Sequence, residues 1–224
     1  VTAREGSLIG VLGGTFDPIH HGHLRVAEEV AEMAGLRELR FLPAGRPRLR
    51  ETPEASPDHR LMMARIAIQG NPRFGLDARE IHRSGISYSV ESLGEMKDEL
   101  GPDSGLCFII GADAFTRLAE WHRWRELFQL CHFVVVGRPG WTSAAHRPIL
   151  PPVLEEACAH RWVPSAEDLD RASCGSIFVA PTTFLDISAS VIRARIASGR
   201  SVRYLLPEAV IGYISANHLY SGGG

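Results

Sequence analysis

Three of the ten histidines fall within four residues, at the end of the run Gly13-Gly14-Thr15-Phe16-Asp17-Pro18-Ile19-His20-His21-Gly22-His23. Glycines at 13 and 14 let backbone N–H groups approach a ligand closely, and a helix beginning near Gly22 turns its partial positive N-terminus toward an anion. His20 and His23, three apart on the incoming turn, project to one side with Gly22 leaving room between them. Two imidazoles beside a phosphate can donate hydrogen bonds to charge developing on its oxygens, a stabilisation that needs neither a covalent step nor a base. The same histidines with Asp17 could ligate a transition metal. A catalytic zinc site, however, wants three ligands in a defined geometry, and no His-Glu-x-x-His helix is present, so no protein metal ligand is expected. The bland alternative is a glycine turn with surface histidines. The Gly-x-Gly-x-x-Gly fingerprint and the Gly-Lys-Ser/Thr of a P-loop do not occur.

A second group lies at Asp186-Ile187-Ser188-Ala189-Ser190-Val191-Ile192-Arg193. Ser188 suits an N-cap, Ser190 can join the free backbone N–H groups in holding phosphate, and Arg193, one turn on, adds a fork of donors matched to phosphate oxygens. Alone, this segment reads as a capped amphipathic helix with an arginine in solvent. Paired with the first group, it reads as the other half of an anion site.

Elements must bring the two halves together. Leu8 to Leu12 is an apolar strand closed by Gly13-Gly14, and a helix follows from Gly22 with Leu24, Ala27, Val30, Ala31 and Ala34 on one face and Gly35 as its stop. Leu39 to Leu42 completes a βαβ unit. Asp58 is expected to cap a helix through about Gln69; Phe74 to Asp77 and Leu106 to Ile110 read as strands around a helix from Ser89 to about Leu100. A helical stretch containing Trp121 and Trp124 leads to a strand at Phe133 to Val136. Gly137 to Cys174 is irregular and Pro-broken, with room for two short helices, compatible with a lid or with a subunit contact in a homo-oligomer. Ile177 to Ala180 is expected as the last strand, before closing helices at Ser188 to Ala197 and Glu208 to Asn217. This alternation predicts an α/β fold, a doubly wound parallel sheet with helices on both faces and ligands at the carboxyl ends of the strands. One domain over 1–220 is expected, its closing helical part about 188–220, with 221–224 a disordered tail.

Composition narrows the function classes. The 224 residues are 45% hydrophobic and 22% charged with net charge -2, which excludes collagen-like, disordered and disulfide-scaffold chains and offers no basic face for nucleic acid. The four cysteines include no Cys-x-x-Cys pair and read as reduced thiols; no apolar run suits a membrane span or signal peptide, so the expected location is cytoplasmic. Of the 24 basic residues all but Lys97 are arginine, so cations for phosphate must come from Arg or His.

Gly13 to Pro18 with His20-His21-Gly22-His23 resembles the signature of the nucleotidylyltransferase superfamily, whose HxGH element is shared with class I aminoacyl-tRNA synthetases. Asp186 to Arg193 resembles its ISSTxIR element, with Ala189 and Ser190 as variants. Ser201-Val202-Arg203-Tyr204-Leu205-Leu206-Pro207, with Val210 and Tyr213-Ile214, is similar to the ending of bacterial nicotinate-nucleotide adenylyltransferases. Gly111-Ala112-Asp113 with Leu118 and Trp121, Arg138-Pro139-Gly140, and Ser87-Tyr88-Ser89 resemble further elements of that family. A departure is Pro47-Arg48-Leu49-Arg50, where the family loop carries a histidine at the position of Leu49.

The resemblance implies a Rossmann-like fold of the HxGH type and adenylyl transfer from ATP to nicotinate mononucleotide, with Mg2+ carried by ATP. It implies catalytic roles for His20, His23 and Arg193. ATP contacts would come from Gly13, Gly14, Thr15, Phe16, His20, Gly22, His23, Gly111, Asp113, Ile187, Ser188, Ser190 and Arg193. Mononucleotide contacts would come from Thr15, Arg50, Ser87, Tyr88, Ser89, Trp121 and Arg138, with backbone and hydroxyl groups of 87–89 receiving the nicotinate carboxylate. Read without the resemblance, Trp121 is also a plausible core residue. Rival readings are a sibling that prefers nicotinamide mononucleotide or another phosphorylated acceptor, and a noncatalytic nucleotide sensor.

Overall fold

A computed structural model describes residues 8–46, 52–101, 104–137 and 146–222. Among the described residues, seven strands form one sheet: β1 (Leu8–Gly14), β2 (Glu38–Pro43), β3 (Phe74–Leu76), β4 (Gly105–Gly111), β5 (His132–Val136), β6 (Trp162–Val163) and β7 (Ile177–Ala180). Their order is β3-β2-β1-β4-β5-β7-β6 and every pairing is parallel. Chain direction across the sheet reverses between β1 and β4, the place where open parallel sheets bind ligands.

Successive residues of the central strands enter two different cores. Leu106, Phe108 and Ile110 of β4 join one, while Cys107 and Ile109 join the other; in β5, Phe133 and Val135 part from Val134 in the same way. The two cores are the two faces of the sheet, both covered, which is why these strands read as unbroken apolar runs. Helices α1 (His21–Met33), α2 (Pro57–Ile68), α8 (Ala189–Ala197) and α9 (Glu208–Ala216) supply one core. The other takes α4 (Ser89–Leu100), α5 (Ala112–Phe115), α6 (Leu127–Leu130) and α7 (Pro152–Cys158). The expected doubly wound α/β architecture is therefore present. Between β3 and α4 lies the short α3 (Arg79–His82), which the sequence pattern did not announce.

Local differences from expectation have physical reasons. Ser56, not Asp58, caps α2: its hydroxyl accepts from the His59 N–H at 3.3 Å, and Pro57 takes the first helical position, where a missing N–H costs nothing. The stretch with Trp121 and Trp124 is not one helix but two 3-10 turns and α6. Arg123 is left-handed there, with φ of 50°, so that Trp124 can turn inward. The irregular region contains β6, which lies outside β7 at the sheet edge. Among the described residues, no helix is long and apolar enough to cross a membrane.

Candidate active site

The β1–α1 connection is built around a ring. Phe16 adopts φ of 51° and buries its side chain to 2% exposure. Its ring lies so close to the chain that a Cβ on Gly14 would sit 2.8 Å from it, so residue 14 must be glycine. Phe16 also meets the His23 ring edge-on at 5.1 Å between centroids. The His20 and His23 rings stack at 3.7 Å and 26°, the first-turn pairing that their spacing predicted. Gly22 makes this fit, because a Cβ there would come within 3.0 Å of His20 Nδ1.

One hydrogen bond and burial set the protonation of this pair. The His20 backbone N–H donates to His23 Nδ1 at 3.2 Å, so the neutral His23 ring carries its proton on Nε2. His20 is 6% exposed; burial first, and then the neighbouring His21, lower its pKa from 6.5 to about 4. At neutral pH it is an uncharged imidazole with one proton to donate. Its Nδ1 and the Thr15 hydroxyl are buried with no hydrogen-bond partner among the described residues.

The C-terminal half docks on this loop at several points. The His21 N–H donates to the Leu205 carbonyl at 3.0 Å. Ser188 caps α8 by accepting from the Val191 N–H at 3.3 Å, and its hydroxyl lies 3.3 Å from that of Ser190. Ser188 and Ser190 are exposed and Ile187 is half-buried beside them. Arg193 reaches back across the gap: Nη1 donates to the Asp17 carbonyl at 2.9 Å and Nε to Glu54 Oε1 at 2.5 Å. Asp17 is buried, its carboxylate accepting from the N–H groups of Glu54 and Ala55 and from the Tyr220 hydroxyl at 2.8 Å. Burial and the Asp17 charge push the Tyr220 phenol far above its usual range, so it stays a donor.

On the other side of β1, Trp121 meets Phe108 edge-on at 6.1 Å, and a Cβ on Gly13 would lie 3.3 Å from that same Phe108 ring. Trp121 is partly buried and packs against this core. Tyr88 lies 4.3 Å from the ring of His122. Ser87 accepts through its hydroxyl from the N–H groups of Gly45 and Arg46, at 3.2 and 3.3 Å, and Ser89 opens α4. Gly111 and Asp113 are exposed where β4 passes into α5, beside the carboxyl end of β1. Arg50 and Arg138 lie outside the described residues.

Two buried charges belong to this region and were not singled out from the sequence. Arg60, fully buried, donates to the carbonyls of Thr15 at 2.7 Å, Ala44 at 2.6 Å and Gly45 at 3.0 Å, joining the β1 and β2 loops. Burial lowers its pKa while the Asp17 charge opposes this. Its signal was available: Arg60 sits in register with Met63, Ala64 and Ile68 on the buried face of α2. Glu80, 5% exposed, accepts from the Ser92 hydroxyl at 2.8 Å, and burial raises its pKa.

Comparison with known proteins bears on this arrangement. The family described as cytidylyltransferase-like matches residues 11–195. A Pseudomonas putida protein named "Probable nicotinate-nucleotide adenylyltransferase" is 48% identical over 214 residues, covering 95% of this chain and 94% of its own. An Acidithiobacillus ferrooxidans protein of the same name is 42% identical, covering 94% of each. The fold superposes on Plasmodium falciparum nicotinic acid mononucleotide adenylyltransferase complexed with NaAD, with a TM-score of 0.71 at 18% identity, over 96% of this chain and 98% of that one. The glycine and histidine loop, the second half-site on α8 and these full-length likenesses agree, and the chain belongs to the cytidylyltransferase-like family and, within it, to the nicotinate-nucleotide adenylyltransferases.

Proposed function

We propose that this chain transfers the adenylyl group of ATP to nicotinate mononucleotide, forming nicotinate adenine dinucleotide and pyrophosphate in NAD biosynthesis. One observation supports this most: the stacked His20 and His23 pair opens α1 at the sheet's switch point and is tied through Asp17 to Arg193. Histidine rings and an arginine fork are thus brought to one loop from two ends of the chain, side chains that would suit a polyphosphate.

In the reaction, an oxygen of the mononucleotide phosphate attacks the α phosphorus of ATP in line. The new P–O bond forms as the bond to the β-phosphate oxygen breaks, and pyrophosphate leaves with that electron pair. The attacking group is already an anion, so no base is needed, and positioning with charge stabilisation carries the rate. His23 would donate from Nε2 and neutral His20 from its one proton. Gly13, Gly14 and Thr15 would line the phosphates with backbone, Ser188, Ser190 and Arg193 would grip the outer ones, and Asp113 would bond a ribose. Trp121, Tyr88 and Ser89 would meet the nicotinate ring and its carboxylate. Mg2+ would enter with ATP as part of the substrate and would offset the charge of its phosphates. On this reading the catalytic unit would span 1–220 and would work in the cytoplasm.

The test is direct. Purified protein, ATP, Mg2+ and nicotinate mononucleotide should yield dinucleotide and pyrophosphate in equal amounts. ATP binding without turnover would favour a sensor, and turnover only with nicotinamide mononucleotide would favour the sibling activity.

A further inference from the structure

We propose that Tyr220 is a positioning residue for adenylyl transfer, holding through its hydroxyl the Asp17 carboxylate on which the geometry of the His20 and His23 turn and of Arg193 depends. This rests on the reaction proposed above and deepens it.

Asp17 sits midway along the loop that would carry the chemistry. Before it, the Thr15 carbonyl is fixed by Arg60 at 2.7 Å, and Phe16 meets the His23 ring. After it, the His21 N–H is fixed on the Leu205 carbonyl at 3.0 Å. Between these anchors the Asp17 carboxylate accepts three hydrogen bonds: from the Glu54 N–H to Oδ2 at 2.9 Å, from the Ala55 N–H to Oδ1 at 3.1 Å and from the Tyr220 hydroxyl to Oδ1 at 2.8 Å. Both groups that Arg193 grips are tied to this carboxylate. One is the carbonyl of Asp17 itself, and the other is the side chain of Glu54, whose N–H Asp17 holds. A shift of the carboxylate would therefore move Arg193 and the histidine turn together.

Two of the three donors are backbone groups of adjacent residues, Glu54 and Ala55, and act as one hold. Tyr220 is the independent one, 203 positions away in sequence. It is 9% exposed and belongs to the same buried cluster as Phe16 and Ile19, so its ring is packed in place. Just past α9 the Leu219 N–H returns to the Ile214 carbonyl at 3.0 Å, and Tyr220 takes a left-handed φ of 61°, a conformation that a bulky residue keeps only where its surroundings hold it. Asp17 is 5% exposed, and at a buried carboxylate a lost donor leaves charge unsatisfied unless the loop shifts to recover it.

The experiment uses the full chain with ATP, Mg2+ and nicotinate mononucleotide. Tyr220→Phe keeps the ring and removes only the hydroxyl. The matched control is Tyr213→Phe, whose hydroxyl lies 2.8 Å from His59 Nδ1 and is bonded to α2, not to Asp17. Tyr220→Phe should lower kcat/KM for ATP about tenfold, the scale of one hydrogen bond to a charged group, and leave the KM for nicotinate mononucleotide within about twofold. Tyr213→Phe should leave both within about twofold. Adding Tyr220→Phe to Asp17→Ala should cost less than about twofold beyond Asp17→Ala alone, because the hydroxyl acts through that carboxylate. Amide exchange at His21, Glu54 and Ala55 should speed up in Tyr220→Phe while the β4 amides hold. Folded Tyr220→Phe with wild-type kinetics or wild-type exchange overturns the proposal. So does an equal loss in Tyr213→Phe, which would mark a general effect of α9, or losses that multiply in the double variant. A wild-type chain that makes no dinucleotide refutes the reaction instead, and exchange in Tyr220→Phe against Tyr213→Phe then decides the hold on Asp17. Should Asp17→Ala fail to fold, the two tyrosine variants decide alone.

Discussion

Arg193 and Asp17 meet across 176 positions of sequence through a 2.9 Å hydrogen bond from the guanidinium to a backbone carbonyl. The bond joins the middle of α8 to the turn before His20, so the two proposed anion-binding halves have a set separation before any nucleotide arrives. A lysine could keep the charge but not the planar fork, whose Nε and Nη1 reach Glu54 and Asp17 from two separate nitrogens. Arg193→Lys should raise the KM for ATP by about tenfold or more and leave the unfolding midpoint within a few degrees; steady-state kinetics beside thermal melts check both.

In the proposed reaction the histidine pair would carry the chemical step. Replacing His20 or His23 by alanine removes a donor aimed at developing phosphate charge, a loss of about a hundredfold in kcat. Circular dichroism should show an intact fold. Turnover near wild type in both variants would remove the histidines from the mechanism.

Acid should weaken the fold in a predictable window. Burial, the main cause for both His20 and His132, lowers their pKa values from 6.5 to about 4. Between those values the unfolded chain takes up protons that the folded one refuses, so the stabilising effect present above pH 6.5 is lost as pH falls toward 4. Urea midpoints should therefore drop between pH 6.5 and 5, above the range where most carboxylates titrate. A midpoint that holds or rises there would contradict the buried neutral state.

Two glycine substitutions should act with opposite sign. Gly45→Ala puts a Cβ within 2.0 Å of the Glu80 carbonyl, and backbone must shift, costing about 1–3 kcal/mol. Gly94 lies inside α4 with open space around it, so Gly94→Ala should stabilise by about 0.5–1 kcal/mol. Denaturant unfolding of the two variants in parallel tests the pair.

Much of this molecule could be read from its residues. Strands buried on both faces announce themselves as apolar runs, and the Gly13 to His23 loop sits where the parallel sheet reverses, so fold and first half-site were legible together. What escaped had local signals that pointed two ways. Trp121 to Leu130 looks helical by periodicity, but packing Trp124 inward and Trp121 against Phe108 requires a left-handed break at Arg123. Ser56 and Asp58 are both capping types, and only Pro57 between them distinguishes the true start of α2. Strand β6 has two residues, too few for any period. Arg60 and Glu80 are charged residues at core positions, and their partners, loop carbonyls for Arg60 and the Ser92 hydroxyl for Glu80, are brought near only by the fold.

The central claim is adenylyl transfer to nicotinate mononucleotide. Its most direct test is pyrophosphate release from ATP and Mg2+ with nicotinate or nicotinamide mononucleotide as acceptor, read as kcat/KM for each. The account predicts turnover with both substrates present and a higher kcat/KM for the acid. No pyrophosphate with either acceptor, or a clear preference for the amide, would contradict it.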